Sequence, residues 1–182
     1  MVMTVNDRRQ LGLSRIYELL GNLTVPLLGG PNSGGTAIVP GNIVHNRNEL
    51  DKKYVPGIIL LDADEIKDSR AQLPPRGMQE MRVPTSIMRM TPEIYVILET
   101  RGITNENVGE DLNTARLAIL AAILPDTQLQ NIVGSNGDIV YDGCVTDLAR
   151  NRTMKGQLGM QITFTYPLVR NEYVGINLPS GS

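Results

Sequence analysis

Gln157-Leu158-Gly159-Met160-Gln161-Ile162-Thr163-Phe164-Thr165-Tyr166 is the stretch on which the fold turns. Leu158, Met160, Ile162, Phe164 and Tyr166 occupy every second position, and Gln157, Gln161, Thr163 and Thr165 lie between them. A period of two sends alternate side chains to opposite faces, so the pattern predicts a β-strand with one face buried and the other wetted. Asp138 to Leu148 precedes it as the expected hairpin partner. The connection 149–156 then places Arg150, Arg152 and Lys155 at the tip.

Upstream, the period changes. Asn107 and Glu110 have the spacing of a capping box, and Leu112, Ala115, Ile119, Ala122 and Ile123 follow on one face until Pro125, predicting a helix over 107–124. Near the start, Asp7 and Gln10 repeat the capping pattern, and Leu13, Ile16, Tyr17 and Leu20 recur at helical spacing up to Gly21, predicting a helix over 8–20. Between the helices, Ile58 to Leu61 is apolar at successive positions, as in a strand covered on both faces, and Ile94 to Leu98 reads as a second strand. Met78 to Met90 is extended but contains Pro84, which cannot donate to a ladder and belongs at an edge or a bulge. Gly29, Gly30, Pro31, Gly34 and Gly35 make 27–40 a flexible loop. The segment 67–77, with Pro74 and Pro75, reads as a projecting connection carrying Arg70 and Arg76, and 178–182 as a loose end. Together these predict a single α+β domain over 1–182. Its sheet is mostly antiparallel or mixed, packed by two main helices, with long projecting loops.

Composition narrows the function. Seventeen basic and nineteen acidic side chains give a net charge of -2, which offers no global cation excess to hold a phosphate backbone. One cysteine, Cys144, precludes an internal disulfide and a multi-thiolate zinc cage. The longest apolar run, Leu117 to Leu124, is far short of the roughly 20 residues that span a bilayer. Asp7, Arg8 and Arg9 stand where a signal peptide needs apolar residues, so neither membrane insertion nor export is expected.

Constellations that could carry chemistry are few. The glycine-rich loop suggests an anion cradle but lacks the lysine of a P-loop. Asp62, Asp64 and Glu65 could hold a divalent cation for metal-dependent nuclease chemistry, or form a solvated turn. His45 and Cys144 would have to meet across the fold to act as a catalytic pair; Cys144, between Gly143 and Val145 in a strand, reads instead as a small buried hydrophobe. No cofactor, metal or catalytic residue is expected on these grounds. The basic residues Arg70, Arg76, Arg150, Arg152 and Lys155 read as subunit-contact residues, since arginine's planar fork suits interfaces and no aromatic residues are interleaved for base stacking.

The order of elements resembles that of bacteriophage tail terminator or tail completion proteins. The residues that carry the resemblance are Arg15-Ile16 through Leu20, Thr91-Pro92-Glu93-Ile94-Tyr95-Val96, Asp138-Ile139-Val140-Tyr141-Asp142-Gly143 and Met160 to Tyr166. The resemblance implies a structural virion protein of the tail or neck that forms a homo-oligomer, usually a hexameric ring. Such a ring caps the head-proximal end of the tail tube, halts its polymerisation and offers a surface to head completion or neck proteins, while genomic DNA passes through unbound. Related roles implied by the same likeness are a head completion protein or a minor tail tube subunit.

Overall fold

The computed structural model describes residues 7–28, 37–69, 84–100, 105–148 and 154–169; for residues 52, 84, 85, 99, 100, 105–107, 148, 154 and 155 it describes the backbone alone. The fold is α+β. In chain order the elements are α1 (Arg8–Gly21), β1 (Val25–Pro26), β2 (Ala37–Ile38), β3 (Ile43–His45), a 3-10 turn at Lys52–Tyr54, β4 (Gly57–Leu61) and β5 (Glu65–Lys67). There follow β6 (Pro84–Met90), β7 (Glu93–Thr100), α2 (Asn105–Ile123), α3 (Thr127–Val133), β8 (Asp138–Leu148) and β9 (Met154–Val169).

The alternating stretch lies in β9, which runs down the middle of the main sheet. Along one edge it pairs with β8, from Asp138 opposite Thr165 to Leu148 opposite Gly156. Along the other it pairs with β6 and β7 in turn, all antiparallel. From Ser86 opposite Leu168 to Thr100 opposite Met154 the register is unchanged across Thr91 and Pro92, where Thr91 Oγ1 and Thr163 Oγ1 lie 2.9 Å apart. β6 and β7 are therefore two halves of one extended stretch. β5 flanks the first half and β4 the second, and β3 lies parallel to β4.

Leu158, Met160, Ile162, Phe164 and Tyr166 are buried under the helices, while Gln157 and Gln161 are exposed and Thr163 and Thr165 half-buried on the opposite face. The core is completed by Leu13, Ile16 and Leu20 of α1, Leu112, Ala115, Ile119 and Ile123 of α2, and Leu129 of α3. Helix α2 rests on the sheet at Gly156, where an added Cβ would lie 2.5 Å from Val108 Cγ1. In β8 a bulge between Tyr141 and Gly143 inserts Asp142, and Gly143 has φ 123°, a conformation that favours glycine.

Several boundaries differ from expectation. Helix α2 begins at Asn105, so Asn107 and Glu110 stand within it and are not its cap. Asp7 does cap α1, accepting from the Arg9 N–H at 3.0 Å, but Gln10 donates to Ser14 Oγ and does not reach back, so the reciprocal half of the box is missing. Helix α3 was not expected; Pro125 ends α2 and Asp126 at once starts another helix by accepting from the Leu129 N–H at 2.8 Å. Within the loop expected over 27–40, Ala37–Ile38 pairs with Val25–Pro26, and 29–36 lie outside the described residues. Pro84 stands at a bulge, as its missing N–H requires.

The same Asp126 ties α3 to α1. Arg15 Nη2 and Nε donate to its two carboxylate oxygens at 2.7 and 3.2 Å, a two-pronged contact that fixes the angle between the helices. The Arg15 hydrogen bond holds the Asp126 carboxyl below its ordinary range, outweighing its partial burial. A carboxylate lowered on folding adds stability above its unfolded pKa of about 3.9 and loses it as pH falls through the folded value. Arg15→Gln should therefore lower the urea midpoint at neutral pH, and the gap from wild type should narrow as the pH falls below the ordinary carboxylate range. Gly156→Ala should cost about 1–3 kcal/mol in the same assay, because α2 must lift from β9.

Candidate functional site

The sequence proposes four groups for function, and among the described residues the fold brings together only His45 and Asp62, from two of them. Arg70, Arg76, Arg150 and Arg152 lie outside the described residues. Lys155 is in β9 opposite Glu99, so it belongs to the strand and not to the hairpin tip, which is shorter than 149–156. The connection expected over 67–77 likewise starts later. Lys67 closes β5, and the Asp68 N–H donates to the Ile87 carbonyl at 2.9 Å.

The three clustered carboxylates do not converge. Asp62 accepts from Asn46 Nδ2 at 3.0 Å and faces His45 Nε2 at 2.5 Å. Glu65, in β5, accepts instead from the Tyr166 hydroxyl at 2.6 Å. Burial would raise the Asp62 pKa, but the bonds from Asn46 and His45 prevail and hold it below the ordinary value. Burial and the Glu65 contact both raise that of the Tyr166 hydroxyl. Among the described residues, no three of His, Cys, Asp and Glu are grouped to hold a metal ion. What Asp62 does is structural: with Asn46, which adopts φ 52°, it locks the end of β3 against the end of β4.

His45 and Cys144 sit at opposite sides of the sheet, separated by β4, β7 and β9, a distance of roughly 19 Å at the usual strand spacing. They cannot act as a pair. Cys144 is moreover exposed, not buried, because β8 after its bulge runs beyond the cover of the helices.

A further buried group escaped the sequence reading. Asp111, 2% exposed, accepts from the Leu28 N–H at 2.5 Å and so fixes the chain where it enters the glycine-rich segment. Its position was legible: 108, 111, 112, 115 and 119 share one helix face, so an aspartate there must enter the core and needs a donor.

The face of the sheet away from the helices carries two shallow hollows of about 460 and 480 Å³ that share Tyr95 and Gln157. The first has an aliphatic floor of Ile59, Leu61 and Ile97 under Arg47 and Glu49. The second is bounded by Glu93, Asp142 and Asp147. Tyr95 donates to Glu93 Oε2 at 2.6 Å and Gln161 Nε2 to Glu93 Oε1 at 3.2 Å, so the carboxylate is bound within the sheet surface. That contact, with burial, raises the Tyr95 pKa. The arrangement presents a polar, net acidic surface.

Larger apolar exposure lies elsewhere. On the outer side of α2, Leu117 (52% exposed), Ala121 and Leu124 form a stripe opposite the buried one, and on β8 Val145 is 76% exposed. No protein-family model matches this sequence, and no curated protein is significantly similar to it. Two substitutions test the local assignments. Asp111→Ala should cost about 1–3 kcal/mol in urea unfolding, by leaving the Leu28 N–H unpaired. Asp62→Ala should lower the urea midpoint, by removing the bond from Asn46 Nδ2 that ties the end of β3 to the end of β4.

Proposed function

We propose that this chain is a structural subunit of a phage tail, assembling into a hexameric ring that caps the head-proximal end of the tail tube. The observation that carries this reading is the second half of helix α2 with the turn that follows it, buried on one side by the sheet and apolar on the other through Leu117, Ala121 and Leu124. A stretch of helix that is apolar on both sides belongs between two layers, and the described chain supplies only one of them. An assembly supplies the second. The resemblance in element order adds the kind of assembly.

The opposite face of the sheet suits a conduit for DNA. Gln157, Gln161, Thr163 and Thr165 are uncharged and wetted, and Glu93, Asp142 and Asp147 among them repel phosphate. DNA slides past such a wall without being held. Termination then needs only polarity: one rim of the ring matches the tube subunit, and the other lacks the tube's self-complementary surface and meets the neck proteins. Arg70, Arg76, Arg150, Arg152 and Lys155 are assigned to the contacts between ring, tube and neck, where bidentate guanidinium bonds give register.

The deciding measurement is the mass in solution across a concentration series, alone and with tail tubes. A hexamer, or a monomer that becomes a ring only at tube ends, is the expected result; a monomer at every concentration, indifferent to tubes, would sink the reading. Leu117→Glu with Leu124→Glu should abolish the ring while leaving the far-ultraviolet circular dichroism unchanged.

A further inference from the structure

A closed ring built by rotation needs two different patches on each subunit, one to give and one to receive. The described sheet ends in three strands whose outer edges meet no described strand: β8 on one side, and β3 and β5 on the other. Each leaves backbone groups with no ladder partner among the described residues along that edge. The exposure of β8 is greatest in its second half, where Cys144, Val145, Thr146 and Asp147 are exposed although they alternate between the two faces. A strand wetted on both faces and along one edge is a docking segment, not a finished wall.

β8 and β3 match in level, direction and chemistry, whereas β5 stands level with the first half of β8 and not with the second. Following the pairings across the sheet, Val145 lies in one row with Gly159, Tyr95, Ile59 and Val44. Cys144 lies in one row with Met160, Ile94, Leu60 and His45. β3 runs parallel to β4, and each further step to β7, β9 and β8 reverses direction, so β8 runs opposite to β3. Copies related by rotation about an axis along the strands keep their rows level. Each then presents β3 antiparallel to its neighbour's β8.

At such a joint Val145 meets Val44 on one face and Cys144 meets His45 on the other. Arg47, just beyond β3, comes level with Asp142 of the bulge. β8 carries Asp138, Asp142 and Asp147 and no cation, so two β8 strands laid against each other would bring six carboxylates to one seam, whereas β3 carries no carboxylate and has Arg47 two residues beyond its end.

We infer that the second half of β8 pairs with β3 of a second copy of this chain, head to tail, continuing the sheet from subunit to subunit. This rests on the ring reading and names the joint that would close it.

The single native cysteine supplies the test. Residues directly opposite in an antiparallel pair have Cα atoms about 4.5–5.5 Å apart, within disulfide reach. The His45→Cys chain, assembled and mildly oxidised, should give a ladder of disulfide-linked multimers on a non-reducing gel. The wild type, and His45→Cys combined with Cys144→Ser, should give none. Val145→Asp, at a fully wetted position, should fold normally and lose assembly. Disulfide-linked dimers of the wild type would overturn the joint in favour of two β8 strands back to back. Ring-sized mass without a ladder, together with rings from Val145→Asp, would overturn the joint and leave the ring standing. A wild type that never assembles, alone or on tubes, would remove the ring reading and the joint with it.

Discussion

Everything in this fold hangs on β9 being paired along both edges. Sixteen residues of extended chain carry donors and acceptors to left and right, and each must be answered once helices seal one face from water. β8 answers one side. β6 and β7 answer the other at a constant register, and the alternation of β9 then decides which side chains enter the core. A slip of one residue would send Gln161 and Thr163 under the helices and Ile162 and Phe164 into water, so register and core specify each other.

That dependence explains how much could be read in advance. The alternation over 157–166, the β8 partner, the covered run Ile58 to Leu61 and both long helices are periodic features, and period is what a sequence displays. Helix α3 escaped because it has seven residues, too few for a period to repeat, and its one signal, Asp126 after Pro125, also fits a turn. The extra length of β9 escaped because Pro167 looks like a breaker, yet it sits opposite Ile87 within the ladder. Cys144 was misjudged since a neighbour's burial cannot be known from the chain alone: it stands on the core-facing side of β8, but beyond where the helices reach.

The carboxylates at 62–65 illustrate the limit for function. Three acids in four residues look like a cation site only while their directions are unknown. Here Asp62, just past β4, goes to Asn46 and His45, while Glu65, which opens β5, goes to Tyr166. Residues that are neighbours in sequence part company where one follows β4 and the other begins β5. The groups left over for function are surfaces, which sequence marks only weakly, as in the second apolar stripe of α2.

The irregularities of the sheet fall in one line. The Asp142 bulge in β8, Thr91 and Pro92 between β6 and β7, and Asp62 to Asp64 between β4 and β5 all lie level with residues 161–164 of β9. Pro92 cannot donate there, and an inserted residue bends its strand. Only β9 crosses the line without interruption, so the two halves of the sheet meet at a crease with β9 as its spine. A creased sheet is curved, and the angle it sets belongs to the backbone of every copy alike. In a closed array built about an axis along the strands, that angle would set how the wall flares from one rim to the other, before any two copies touch.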